Sequence, residues 1–126
     1  MCALGRGAAL SALFFLMAGC ATWSRETAIT ESVWQLTNAI DAGQTLQIAR
    51  SPDLYYERVS TWAITSHPSQ MSVCLYMGGQ AMAHAAITDY LERTDKPIWL
   101  RRTWQAVGLT YNGVTITHNL QLGLRP

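Results

Sequence analysis

The chain has 126 residues, of which 13% are charged and 49% apolar, and its formal net charge is +1. That length allows one small domain, and so small a net charge gives no electrostatic basis for binding nucleic acid. Charge stands at about half the roughly 25% usual in soluble proteins; Ser, Thr, Gln, Asn and Gly take its place, which suits weakly polar membrane helices better than a well-solvated surface.

Residues 1–19 read as a signal peptide. Arg6 precedes Gly7 to Gly19, a run without charge. The run has the length of a signal-peptide apolar region and falls short of the roughly 20 residues of a spanning helix. It closes on Met17-Ala18-Gly19-Cys20. This resembles the bacterial lipoprotein signal, in which small residues precede a cysteine that is lipidated and becomes the new N-terminus. Cys20 is therefore the expected lipidation site. Met17 stands where Leu is usual and Arg6 is a thin basic region, so an ordinary signal segment is the alternative. A mature chain starting at Cys20 keeps only one other cysteine, Cys74, and lipidation would leave it without an intramolecular partner. Cys74 reads as a small buried apolar side chain.

Residues 20–30 are short and polar and are expected to link anchor and fold, with 31–126 as a single small helical domain. Val33, Leu36 and Ile40 follow the 3.6-residue period, which predicts a helix over Glu31–Ala49. Thr30 is its expected cap, Glu31 lies in its first turn, and Ser51-Pro52 ends it. Asp53 to Ser69 is an expected loop; its Tyr55, Tyr56 and Trp62 suit a membrane interface or the edge of a soluble core.

Val59 to Thr88 contains no Asp, Glu, Lys or Arg. Within it a central helix is expected over Met71–Leu91, opened by Pro68-Ser69. Gly78-Gly79 would cost a soluble helix about 1 kcal/mol each relative to Ala. In a membrane these glycines, with Ala81, Ala83, Ala85 and Ala86, permit close helix approach. Glu92 to Arg102 is a net-positive turn. If the uncharged runs on either side span a bilayer, this loop faces the cytoplasm and Cys20 the periplasm. Hydropathy and loop charge thus favour the inner membrane; Ala21, after the lipidated position, resembles lipoproteins sent to the outer one.

Thr103 to Leu124 is again uncharged and reads two ways. Asn112-Gly113 between alternating apolar residues suits a β-hairpin. Read as a helix, Gln105, Asn112 and Asn119 recur every seven residues as one polar stripe. The two readings balance on pattern alone.

Asp41-Ala-Gly-Gln44-Thr45, Tyr56-Glu57, His67-Pro68-Ser69, His84 and Asn119 ahead of Gly123 together resemble a family of small bacterial and phage-associated membrane proteins without an assigned function. The resemblance covers about Asn38 to Leu124; the Asn-Pro of the family's loop is absent at Arg58–Thr65. It implies an all-helical fold and favours a helix over the C-terminal hairpin. The expected fold is therefore all-α, a three-helix arrangement with a C-terminal helical hairpin; the alternative is α+β with a C-terminal β-hairpin.

On three helices the polar stripes are Asp41 and Gln44; Gln80, His84 and Thr88; and Gln105, Asn112 and Asn119. Polar groups in an apolar bundle must find partners, so these residues are expected to form an interhelical network with Asp41 near His84 as its charged centre. Structural glue is the favoured role and a proton relay or catalytic pair the lesser one. His67, His84 and His118 show no metal-ligand spacing, and no phosphate loop or nucleophile motif occurs, so no metal or cofactor is expected. The expected function is that of a membrane-anchored, lipoprotein-like cell-envelope protein, non-enzymatic, binding a membrane-protein partner or itself. The alternatives are a membrane-embedded hydrolase or transferase centred on Asp41 and His84, and a lipid-tethered soluble periplasmic binding domain.

Overall fold

A computed structural model describes residues 23–126; the expected signal peptide and the Cys20 lipidation site lie outside the described residues. Four helices follow in order: α1 (Arg25–Arg50), α2 (Thr61–Ile64), α3 (Gln70–Arg93) and α4 (Ile98–Gln121). Among the described residues there is no strand, so the fold is all-α. The Asn112-Gly113 hairpin does not form, because Asn112 is buried on the inner face of α4.

Helix α1 starts earlier than its apolar period predicts. The Ser24 hydroxyl accepts the Thr27 N–H at 3.3 Å, and the Ser24 N–H donates to Glu92 of α3 at 2.7 Å. Capping at Ser24 thus replaces the expected cap at Thr30, and residues 25–30 are helix rather than linker. The Ser51 N–H closes the far end on Gln47 and Ile48 carbonyls, and Pro52 cannot extend it. Ser69 caps α3 by accepting the Ser72 N–H at 3.1 Å.

Gly123 ends α4 with φ of +85°, a left-handed conformation that glycine adopts without strain. The Leu124 N–H then reaches the Asn119 carbonyl and the Gly123 N–H the Leu120 carbonyl, both at 3.0 Å, the pattern of a Schellman motif. The turn buries Leu124 completely. Beyond it the Arg125 N–H donates to Gln47 of α1 at 2.8 Å, and Pro126 packs on Gly43, where a side chain would crowd it.

Helix α1 is the centre of the bundle, with α3 and α4 both packed on it and less on each other. Glu31 meets His84, Gln35 meets the Ala81 carbonyl and Asn38 the Met77 carbonyl, so α3 runs antiparallel to α1. Thr37 meets Asn112 and Asp41 meets Asn119, so α4 runs parallel to it. The buried positions of α1 are 27, 31, 34, 38, 41, 45 and 48, with Gln44 beside them; those of α4 are 101, 105, 112, 115 and 119. Steps of three and four residues are the seam period of packed helices.

The seam is polar. An apolar cluster of Ile64, Val73 and Met77 lies under α2, but most of the remaining interior consists of Thr27, Glu31, Asn38, Asp41, Gln44, Thr45, His84, Thr88, Gln105, Asn112, Thr115 and Asn119. Leu36, Leu75, Met82, Val107 and Val114 are each more than half exposed. The usual distribution of a soluble domain, apolar inside and polar outside, is inverted. Cys74 is half-buried and disulfide-bonded, which corrects its reading as a small buried apolar side chain: it sits beside the buried Val73–Met77 stripe, not on it.

Candidate functional site

The most enclosed ionic group is Glu31, fully buried on α1. Its carboxylate accepts from His84 Nδ1 at 2.9 Å, from the Thr88 hydroxyl at 2.8 Å and from the Gln35 amide at 2.8 Å. His84 and Thr88 lie one turn apart on α3, so one face of that helix presents both donors to the same carboxylate. A buried carboxylate without such donors would carry a large desolvation cost. The Glu31 contact assigns the Nδ1 proton, and this fixes the imidazole orientation.

Aromatic rings close around that imidazole. Trp34 stacks on one face at 3.7 Å between centroids and 6° between planes, and Trp104 lies at 4.8 Å and 25°. The edge carrying His84 Nε2 abuts Gly108 of α4: a methyl group there would lie 2.9 Å from Nε2 and 2.6 Å from Trp34 Nε1. Gly108 thus permits the close approach of α4 to the rings. His84 Nε2, Trp34 Nε1 and Trp104 Nε1 are buried and make no hydrogen bond.

Asp41 forms a separate level. Residues 31 and 41 stand about 15 Å apart along a helix rising 1.5 Å per residue. The antiparallel register that sets Glu31 against His84 places Asp41 level with the start of α3, so the expected Asp41–His84 centre is not formed. Asp41 accepts from the Asn119 amide at 3.3 Å, and the same amide nitrogen reaches Gln44 Oε1 at 3.3 Å. Nearby, Glu57 is buried in the α1–α2 connection, where one carboxylate oxygen accepts the N–H groups of Val59 at 2.8 Å and Ser60 at 2.9 Å.

The remaining predicted residues are used, but at different heights. Gln105 approaches the Thr27 carbonyl at 3.5 Å, Asn112 donates to the Thr37 hydroxyl at 3.1 Å, and Gln80, half-buried, donates to the Tyr76 hydroxyl at 3.1 Å. The network is thus a stack of small polar layers instead of one cluster. At the end near the α3–α4 turn, Glu92 accepts from the Thr27 hydroxyl at 2.9 Å and from the Arg101 guanidinium. At the rim Arg102 grips Glu26 through two hydrogen bonds, and this holds the Glu26 carboxyl below its usual range.

Glu31, Trp34 and Trp104 were not foreseen as site residues. The signal was present: stepping back from Asp41 by three and four residues gives Asn38, Trp34, Glu31 and Thr27. Neither surface groove, one lined by Ile87, Leu91, Leu100 and Trp104 and the other by Thr110, Gly113 and Thr117, includes His84 or Asp41. Among the described residues no group of three His, Cys, Asp or Glu side chains could hold a metal ion. No protein family, curated protein or solved structure matches this chain.

Proposed function

We propose that this chain is a membrane-immersed helical protein of the bacterial cell envelope that acts without enzymatic chemistry, by binding a membrane-protein partner or another copy of itself. The observation that carries the reading is an uncharged outer belt around a polar interior. On α3 no charge occurs from Gln70 to Thr88, and on α4 none from Thr103 to Gln121. Each stretch is about 28 Å long at the helical rise, close to the roughly 30 Å hydrocarbon core of a bilayer. Between Thr27 and Ala49, α1 carries only the buried Glu31 and Asp41.

Two further features fit lipid contact. The hydroxyls of the outward-facing Ser32, Thr110 and Thr117 each donate to the carbonyl four residues back, at 2.7 to 2.8 Å; such groups need no water. Exposed Tyr90 and Trp99 lie near the α3–α4 turn, and exposed Tyr56 and Trp62 near the α1–α3 connection, where a bilayer's two interfaces favour aromatic rings. Among the described residues no helix is long and apolar enough to cross a membrane. Mean hydropathy counts inward- and outward-facing residues alike, and here the polar ones face inward and many pair with one another.

Lysine and arginine in the α3–α4 turn favour the inner membrane with the turn on the cytoplasmic side; Ser24 and Thr27 bond to Glu92 beside that turn, so the start of α1 lies at the same end, which does not fit the expected arrangement of a cytoplasmic turn and a periplasmic Cys20. Lipidation of Cys20 competes with the Cys74 disulfide, because a mature chain starting at Cys20 holds no third cysteine; the mass of the Cys20 peptide decides between them. The resemblance to phage-associated proteins suggests a partner in phage entry, and unchanged plating of a broad phage panel on expressing cells would count against it.

The deciding experiment is fractionation of the chain expressed from Ala21, without a lipid site. The protein should sediment with membranes, resist carbonate and require detergent. A monomer that stays in solution without detergent would sink the proposal and favour the soluble periplasmic domain.

A further inference from the structure

Ionisable groups recur along the interior: half-buried Glu92 with Arg101, then the buried Glu31 with His84, then Asp41, then Glu57. From the Glu31–His84 level toward the Asp41 level lie buried polar atoms without a partner: Trp34 Nε1, His84 Nε2 and Asn38 Oδ1, with Gln44 Nε2 one turn beyond Asp41. Their residues are all at least nine-tenths buried. Unpaired buried polar atoms are rare and are ordinarily served by internal water. Here Trp34 Nε1, His84 Nε2 and Asn38 Oδ1 fall at or within the interval that separates two ionisable levels.

We propose that the polar interior of this bundle conducts protons along α1, with His84 and Asp41 as the groups that take up and release them. The inference rests on the membrane immersion proposed above, and it assigns a transport role to side chains that structural pairing alone would not need. At the His84 level the stacked Trp34 and Trp104 rings and the Gly108 contact leave no open column. A proton passes that level on the imidazole itself: Nε2 gains a proton as Nδ1 gives its own to Glu31, across 2.9 Å. The proton comes from a hydronium ion, so the Nε2–H and Glu31 O–H bonds form as the hydronium O–H and Nδ1–H bonds break, leaving water and a neutral imidazole. A metal cation cannot use this step, so the path selects protons.

The titratable group facing His84 is Glu31 of α1, with Thr88 beside it on α3 and only Trp104 and Gly108 on α4. Asp41 is faced by Asn119 of α4 and lies within electrostatic reach of Glu57 in the α1–α2 connection and Tyr76 on α3.

The test uses the purified full chain in vesicles of phosphatidylcholine and phosphatidylglycerol, with a pH dye inside and a potassium gradient opened by valinomycin. Flotation first establishes insertion. The vesicles should then acidify faster than protein-free ones and pass no sodium. Asp41→Asn should return proton entry to the protein-free rate. So should the double variant Glu31→Gln with His84→Phe, which keeps a ring in the stack and leaves no unpaired buried charge; helicity by circular dichroism shows that both variants fold. Inserted protein that moves no protons, or a folded double variant that still moves them, overturns the inference and leaves the membrane reading standing. Protein that does not float overturns both.

Discussion

Alanine in place of glycine should act in opposite directions at different points of this bundle. At Gly108 the added methyl would lie 2.6 Å from Trp34 Nε1, 2.9 Å from Trp34 Cδ1 and 2.9 Å from His84 Nε2. Neither ring can yield easily: the two stack on each other, and His84 is held by Glu31. Removing a glycine from a helix gains about 1 kcal/mol, while overpacking a filled interior costs about 1–3 kcal/mol. With three contacts this short the upper part of that range applies, and Gly108→Ala should be destabilised by about 1–2 kcal/mol. At Gly78, Gly79 and Gly113 a methyl group meets nothing within 4 Å, so each alanine should stabilise the monomer by up to about 1 kcal/mol. Thermal melting followed by far-ultraviolet circular dichroism in mild detergent reads the sign, and the near-ultraviolet tryptophan signal reports the ring stack. Gly108→Ala should melt below the wild type by roughly 4–15 °C. If it melts at or above the wild type with an unchanged tryptophan signal, α4 does not approach the Trp34–His84 stack as described.

Other perturbations separate the layers of the interior. Leu124 is fully buried by the turn after α4, so Leu124→Ala should cost about 2–5 kcal/mol in the same melts; a neutral result would mean that the tail does not dock. Arg101→Met would remove the cation paired with Glu92, in a contact where both side chains are only 10% exposed. It should cost about 3 kcal/mol, whereas Arg102→Met at the exposed rim should scarcely move the transition; equal effects would refute the assigned burial. Asn119→Leu strips the amide that serves both Asp41 and Gln44 and should cost about 1–3 kcal/mol, recovered in part by Asp41→Asn in the same chain. Cys74 should resist alkylation until a reductant is added, and immediate labelling of the untreated protein would contradict its bond.

The sequence by itself determined the long helices ahead of the charged turn and the polar chemistry of the interior; pattern alone left residues 103–124 balanced between helix and hairpin, and only the structure makes them α4. Charge-free stretches bounded by Ser69, by the charged turn and by Ser51-Pro52 mark out the long helices, and Gln105, Asn112 and Asn119 at seven-residue spacing mark the inward face of α4. A seven-residue polar repeat is a property of one chain segment, so it can be read without knowing what it faces. Tertiary structure alone decided the partners. The start of α1 depends on Glu92, far along the chain, which holds Ser24 and Thr27; no local period reveals that. Asp41 and His84 are the expected pair when helices are drawn side by side. Their heights are set by the length of the α1–α3 connection, and that register places His84 against Glu31 instead. Gly108 shows the same limit. Its value lies in the two rings brought against it from α1 and α3, a contact between three helices that no spacing within α4 encodes.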